Sequence, residues 1–545
     1  MPARIPPTGN TDANGDLADS LALLIRSLPS QPCHHVRQAR KLLSRLAATL
    51  VEPEAAATAL ADQRFSDPAW HSNPLLMRVM AVWATCNQQG REWLQGLQLP
   101  LADQARLALL GRQLAAASAP SNSPLNPRFL ARLRETRGRS LCRGLQHLAA
   151  DLALDRPTPP LHPDDSHLVG RELASTAGEV VLRQPLFEMI QYQPLQAKVH
   201  SHPLLIIPPP LNRFYLLDLS PHNSLVQHAL EQGLQVFLIS WRNPDHSHRD
   251  WGFNQYVGAC DSALQHIEQI SNSTQTSLLG VCAGGLLGLM LQGVLQARGE
   301  AHRLCAASYL VTPLNAHMDT DLLRLMGSSS RQRLRTRVWQ QGYLSGPQLA
   351  RSFAWLRPDH FVWPQAVERY AMDQAPAQRD LLFWSQDATR LPARLVDDLI
   401  DLFERDPLAE PGHLCVLGQR LDLASIETPS WHMGAEGDHI VPWRNCFPGS
   451  RLGGNKVFVQ SHGGHIQSMV NPGDRPGSRF RSSAVASVSA EQWLEDSELH
   501  DGSWWPHWSH WLKQHSGPLQ QAPAHLGSDQ LPPLAAAPGS YVHQS

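Results

Sequence analysis

The stretch from Ser277 to Gly293 limits what this chain can fold into more than any other. A short apolar run, Leu278 and Leu279, meets Gly280-Val281-Cys282-Ala283-Gly284-Gly285, and a helix-like run (Leu286, Leu287, Leu289, Met290) follows at once. Glycines two residues before and two after a central position let a strand turn sharply into a helix without Cβ clashes, so that one side chain is held out above a sheet. Here that side chain is a thiol. A Cys so placed can be activated by a neighbouring His and by the partial positive charge of the helix start behind it. The bland alternative is a buried Cys in a Gly-rich strand-to-helix turn, since free Cys is often core.

At 545 residues the chain is long enough for about two to three compact units. Hydrophobic residues make up 42% and charged residues 17%, so it can bury a core without being membrane-like. A formal charge of -2 argues against nucleic-acid binding by bulk charge. The eight cysteines are scattered without a CxxC, which points to free thiols in a reducing compartment and gives no metal-ligand spacing. The polar start, MPARIPPTGNTDANGDLADS, lacks the apolar segment of a signal peptide, and Gln292 interrupts the most apolar helix. These features predict a soluble, cytoplasmic protein without a membrane span. With 27 His in the chain, being a His is weak evidence of a role.

Residues 1–20 have a disordered composition. From Leu21 to about Leu154, and so over 21–160 as a region, apolar spacings of three and four (Leu42, Leu43 and Leu46; Leu107, Leu110 and Leu114) predict helices. Pro157 to Pro163 (PTPPLHP) reads as a linker. Beyond it, residues 165–520 alternate apolar strand runs with helices. Leu204 to Ile207, Val236 to Ile239, the elbow strand, Ala306 to Val311, Trp431 to Met433 and Val457 to Val459 are the strands. Tyr256, Val257, Cys260, Leu264 and Ile267 share one helical face between Phe253 and Ile270. That order predicts a mostly parallel sheet covered on both faces, with active groups at the carboxyl ends of its strands. Between about Asn315 and His413 the rhythm lapses into helices such as Arg331 to Gln341 and Ala393 to Phe403, an insertion that is either a cap over the site or a decoration. Residues 521–545 form a C-terminal tail. Just before it, Trp504, Trp508 and Trp511 recur at helical spacing beside Trp505, as a helix packed on its own domain or an apolar contact surface.

A nucleophile at Cys282 requires an acid and then a His, each after a later strand. Asp438 follows the strand at Ser430 to Gly434, in Ala435-Glu436-Gly437-Asp438-His439. His465 follows the strand at Lys456 to Val459, in Ser461-His462-Gly463-Gly464-His465. His465 would take the thiol proton, because the thiolate is the attacking species. Asp438 would either orient His465 or help deprotonate an incoming hydroxyl. His462 and Glu436 are the rivals for base and acid. An oxyanion hole would use the amide of Ala283 and one from the loop after Ile207. There Pro208, Pro209 and Pro210 have no N–H, which leaves Leu211 or Asn212 as the first possible donor. Strand, elbow and helix with nucleophile, acid and His in this order predict the α/β-hydrolase fold, here with a helical cap insertion and a helical N-terminal region.

Several stretches together resemble the polyhydroxyalkanoate synthases. They are Gly280 to Gly285, PPPLNRFYLLDLSPHNSLV (Pro208 to Val226), SWRNPD with WGFNQYV (Ser240 to Val257), FWSQDATRLP (Phe383 to Pro392), GDHIVPW (Gly437 to Trp443) and GHIQSMVNP (Gly464 to Pro472). The likeness runs from about Arg64 to the closing PGSYVH. It implies an acyltransferase that joins (R)-3-hydroxyacyl-CoA thioesters into polyester with release of CoA, and that needs no further cofactor. The family's Cys, acid and His fall on Cys282, Asp438 and His465, with the growing chain held as a thioester and the Asp assigned to the 3-hydroxyl. It also implies a homodimer on cytoplasmic polyester granules, alongside granule-coating proteins. The length and the SWRNP and GHIQS wording resemble the Pseudomonas type, which favours medium-chain monomers. Three departures bear on rate and monomer preference: Pro210 where an N–H is usual, Thr312-Pro313-Leu314-Asn315 where an Asp usually closes the stretch, and His462 beside GHI. The alternatives are a thioesterase or polyester depolymerase of the same fold, which more often carry Ser at the elbow, and a non-catalytic granule-associated paralogue.

Overall fold

The computed structural model describes residues 11–54, 62–153, 169–315, 327–374, 379–473, 475–486 and 489–544. The chain divides into two compact units. The first takes Met1–His162 with Asp321–Leu334 and Arg351–Arg379; the second takes Pro163–Thr320, Arg335–Ala350 and Asp380–Ser545.

The first unit is helical, as the apolar spacing predicts. Its helices include Thr11–Ser27, Pro32–Val51, Pro74–Gln95, Leu101–Ala117, Pro127–Glu135 and Arg139–Ala153. Asn73 caps the third of these by accepting from the amides of Leu75 and Leu76, and Pro74 occupies the first turn, where its missing N–H costs nothing. Phe65, Trp70, Leu76 and Met80 form a small core. The expected insertion supplies part of this unit: buried Asp151 accepts from Arg369 Nε at 2.8 Å and from the Tyr370 hydroxyl at 3.0 Å. The insertion expected as one cap is therefore shared between the two units. Residues 11–20, expected to lack structure, lie within the first helix, where the apolar positions after Asp16 outweigh the polar start. Residues 1–10 and the Pro-rich linker lie outside the described residues.

The second unit is built on one sheet of eleven strands. We number them β1 (Gly178–Arg183), β2 (Phe187–Tyr192), β3 (Leu204–Ile207), β4 (Val236–Trp241), β5 (Thr276–Val281), β6 (Leu304–Leu310), β7 (Ser430–Ala435), β8 (Lys456–Ser461), β9 (Arg479–Ala484), β10 (Glu498–Asp501) and β11 (Ala535–Ala536). Their order across the sheet is β10-β9-β8-β7-β6-β5-β3-β4-β2-β1-β11. The six strands from β8 to β4 are parallel, and the outer strands on both sides are antiparallel. Every residue of β3, β4, β5 and β7 is buried, which is why these strands read as apolar runs rather than as alternation. The helix Phe253–Ser271 buries the predicted face of Tyr256, Val257, Cys260, Leu264 and Ile267. The helix Trp505–Lys513 packs on its own domain: Trp504, Trp505 and Trp508 are buried, and Trp508 Nε1 donates to Ser308 Oγ at 3.0 Å.

The C-terminal tail is part of this unit. Ala535–Ala536 pairs with β1, and Tyr541 and Val542 are buried. Glu188 of β2, which has no exposed side-chain surface, anchors it by accepting from the amides of Ser540 and Tyr541 at 2.9 Å and from Ser540 Oγ at 2.7 Å, with Arg183 at 2.7 Å.

Candidate active site

Strand β5 ends at Val281, and the helix Ala283–Ala297 begins one residue later. Cys282 between them has φ 51° and ψ -120°, backbone that a side chain adopts at a cost of about 1–3 kcal/mol and keeps only where its surroundings enforce it. The surroundings do so. A Cβ on Gly284 would lie 2.2 Å from the Ile207 carbonyl oxygen and 2.5 Å from that of Pro208, and one on Gly280 would lie 2.5 Å from Gly285 Cα. A Cβ on Gly285 would sit 1.9 Å from Thr312 Oγ1, so the third glycine is as necessary as the two that flank the thiol. The helix behind Cys282 is buried from Ala283 through Leu295. Even Gln292, which breaks its apolar run, is buried and accepts from the Tyr309 hydroxyl.

Asp438 and His465 come from turns after the neighbouring parallel strands β7 and β8. Asp438 Oδ2 lies 2.5 Å from His465 Nδ1, with both side chains almost wholly buried. Oδ1 of the same carboxylate accepts from the amides of Ile440 at 2.8 Å and Val441 at 2.9 Å, so the acid cannot turn away. The two turns are laced together by the Gly437 amide donating to Gly463 O at 2.8 Å. Burial alone would lower the pKa of His465, but the Asp438 charge and hydrogen bond outweigh it and raise it to about 10, with the Cys282 sulfur adding to the rise. An imidazolium held this way stabilises a sulfur that has lost its proton.

The rivals meet elsewhere. His462 Nδ1 lies 2.7 Å from Glu436 Oε2, and both are largely exposed. The structure thus brings together Asp438 and His465 and pairs Glu436 with His462. His432, fully buried in β7, is held by Ser430 Oγ at 2.9 Å; burial lowers its pKa to about 3 and keeps it neutral.

The amides of Ala283, Leu211 and Asn212 donate to no protein acceptor among the described residues. The first is one donor expected for an oxyanion hole, and the other two are the alternatives expected for the second. The elbow helix presents the first, while the other two lie just past the prolines of the loop that Gly284 packs against.

One neighbour was not singled out from the sequence. Cys446 is buried in an aromatic cluster with Trp443, Phe458 and Trp493, and Cys282 packs against that cluster. Burial pushes the Cys446 thiol well up, with the charges at Asp438 and Cys282 adding, so it stays protonated. Asn315, which closes the departing stretch after β6, exchanges hydrogen bonds with Asn445: its amide donates to Asn445 O, and Asn445 Nδ2 donates to Asn315 O, both at 3.0 Å. No local pattern marks either pairing.

Comparison with known proteins agrees with this geometry. Residues 61–229 match the family model described as the poly-beta-hydroxybutyrate polymerase (PhaC) N-terminus, and residues 217–472 match the alpha/beta hydrolase fold. Poly(3-hydroxyalkanoate) polymerase 2 of Ectopseudomonas oleovorans is 39% identical, over 97% of this chain and 94% of its own length. Poly(3-hydroxyalkanoate) polymerase 1 of the same organism is 35% identical, over 97% and 95%. The poly(3-hydroxyalkanoate) polymerase subunit PhaC of Cupriavidus necator is 35% identical, over 98% and 92%.

Proposed function

The chain belongs to the poly(3-hydroxyalkanoate) polymerase family, and on that premise we propose how its own residues carry the polymerisation. It is an acyltransferase, and its substrates are (R)-3-hydroxyacyl-CoA thioesters. Cys282 attacks the thioester carbonyl: a carbon–sulfur bond to Cys282 forms, the one to CoA breaks, and the thiol proton passes through His465 to the departing CoA sulfur. The acyl group now waits as a thioester. A 3-hydroxyl then attacks the same carbon, His465 takes its proton, the ester bond forms and the Cys282 sulfur leaves. When that hydroxyl belongs to another 3-hydroxyacyl-CoA, the product is a longer chain carried by CoA, and Cys282 takes it up again with loss of CoA. One thiol serves every step.

A thiol suits the exchange because it trades one thioester for another at nearly equal energy. Water is the competitor, and the burial of His465 and Asp438 favours an alcohol over it. The short contact between Asp438 and His465 Nδ1 supports orientation of the base as the role of Asp438. That buried pair, aimed at a Cys on a strained elbow, is the observation that carries the reading.

The medium-chain preference rests on the SWRNP and GHIQS wording, and the homodimer on the same resemblance. Attachment to a polyester granule is supported by the first unit, where Val36, Leu43 and Leu50 stand seven residues apart on Pro32–Val51, each more than half exposed. Among the described residues no helix is long and apolar enough to cross a membrane. The test is CoA release and polymer formation from purified protein given (R)-3-hydroxydecanoyl-CoA, beside a Cys282→Ala variant. Polymer from the parent and none from the variant is expected. CoA release with soluble hydroxy acid would move the assignment to a thioesterase, and silence from the parent would favour the non-catalytic paralogue.

A further inference from the structure

The loop after β3 must supply a backbone donor, yet it opens with three prolines. Its carbonyls are held to an unusual degree. Trp241 Nε1 donates to Pro208 O at 2.8 Å, Thr389 Oγ1 to Pro210 O at 2.7 Å, the Thr389 amide to Leu211 O at 3.3 Å, and Trp384 Nε1 to Arg213 O at 2.9 Å. Thr389 is 1% exposed. It lies in Phe383 to Pro392, far along the chain, and Ala388 before it forms a one-residue antiparallel bridge with Asn212.

The geometry of the peptide unit gives these bonds a consequence. In a trans peptide the C=O of one residue and the N–H of the next share a plane and point in opposite directions. The bond from Thr389 Oγ1 to Pro210 O therefore aims the N–H of Leu211, and the bond from the Thr389 amide to Leu211 O aims the N–H of Asn212. Among the described residues neither of those amides donates to a protein acceptor. A single residue of the insertion thus sets the direction of both.

A second clamp holds the far end of the loop. The buried Arg213 guanidinium donates to Asp387 Oδ1 at 3.1 Å, to Tyr541 O at 3.1 Å and to Gln544 O, while the Tyr215 hydroxyl donates to Asp387 Oδ2 at 2.9 Å. Asn243 ties the same parts together, donating to Gln544 O at 3.1 Å and accepting from the Arg390 amide at 2.9 Å. Insertion, loop and C-terminal residues are one hydrogen-bonded assembly.

We propose that Thr389 is a positioning residue for acyl transfer: its hydroxyl orients the Pro210–Leu211 peptide so that the Leu211 N–H faces the carbonyl oxygen of the acyl group on Cys282, with Arg213 fixing the end of the loop. This rests on Cys282 being the acyl carrier. Without the hydroxyl, the Pro210 carbonyl is left buried and unpaired, and the peptide turns to find another donor. The N–H turns with it. Losing one oxyanion donor costs on the order of 10²- to 10³-fold in turnover, and misaiming one costs part of that.

Two readouts on purified full-length protein separate positioning from general damage. The first is steady-state CoA release from (R)-3-hydroxydecanoyl-CoA. The second is alkylation of Cys282 by iodoacetamide, followed by intact mass, which needs the thiolate but develops no oxyanion. In Thr389→Val, kcat should fall roughly 10- to 100-fold with KM within about twofold and the alkylation rate unchanged, and Thr389→Ser should recover most of the loss. Thr389→Ala replaces the Val variant should that one fail to fold. A kcat within about twofold of the parent, or alkylation falling in step with kcat, would overturn the proposal. CoA release that survives Cys282→Ala would instead sink the premise, leaving the two failures distinguishable.

Discussion

Asp438 and His465 stand 27 residues apart in the chain and 2.5 Å apart in space, and the carboxylate oxygen not facing the imidazole is already committed to two backbone amides. The acid is fixed on one side and the base leans on the other. Such a pair can be dissected by removing the charge while keeping the shape.

In Asp438→Asn the imidazole loses its cation-stabilising partner and its tautomer is no longer imposed. Turnover should fall on the order of 10³- to 10⁴-fold. Rapid-quench measurement of the first CoA released then separates the two roles open to the acid. If Asp438 orients His465, the first acylation slows as much as elongation does; if it activates the 3-hydroxyl, the first CoA appears at the parental rate and only elongation stalls.

The raised pKa of His465 also enters stability. Its folded value, about 10, lies above the ordinary value of about 6.5, so its contribution is complete below about pH 6.5 and is lost as pH rises through 10. In Asp438→Asn the largest influences raising the pKa of His465 are gone, leaving the Cys282 sulfur against burial, and most of that contribution disappears. The gap in Tm between parent and variant should be widest near pH 6 and shrink toward pH 10, measured by scanning calorimetry across that range. A gap that widens with pH would contradict the assignment.

Gly284→Ala should destabilise by about 1–3 kcal/mol, because the new methyl meets the main-chain carbonyls of Ile207 and Pro208, which cannot yield as a flexible side chain would. Gly258→Ala is the control: its Cβ meets only Leu417 Cδ2, at an ordinary 3.6 Å. Chemical denaturation of the two variants beside the parent checks the difference.

Glu188→Gln removes a buried charge that accepts two amides and a hydroxyl from the C-terminal turn. Charge-assisted bonds of this kind contribute about 1.5–3 kcal/mol each, so the turn at Gly539 to Tyr541 should loosen locally before the sheet does. Hydrogen exchange should rise across residues 535–544 and stay near parental in β5 and β7.

On the first unit, Leu43→Glu places a charge in the middle of the exposed apolar row on Pro32–Val51. Sedimentation with polyester granules should recover less of the variant, with CoA release in solution within about twofold of the parent. Equal recovery would assign granule contact to another surface.

The trio, the elbow and all six parallel strands were legible because each depends on a local signature: glycine spacing, an apolar run, a turn after a strand. The antiparallel strands were not. β9 reads RFRSSA and β10 reads ELHD, part-exposed strands at one side of the sheet whose pairing is decided by their neighbours rather than by their own apolar content. The insertion was legible as helices, but its division between two units depends on contacts such as Arg369 with Asp151, which leave no periodic trace. Thr389 and Arg213 sat within quoted motifs, yet nothing in the wording links either to the proline loop. The tail was invisible as structure because its strand is two residues long and its anchor is a Glu in β2.

Arg213 and Tyr541 are separated by 328 residues along the chain. A ribosome adding about 5–20 residues per second needs roughly 20–60 s to cover that distance. For most of that interval, once Ala297 has been added, the elbow, its helix and the proline loop have all been synthesised while the carbonyls that satisfy Arg213 have not. A nascent chain is therefore without its second clamp until Tyr541 and Gln544 are added, after the elbow, Asp438 and His465 have all been made.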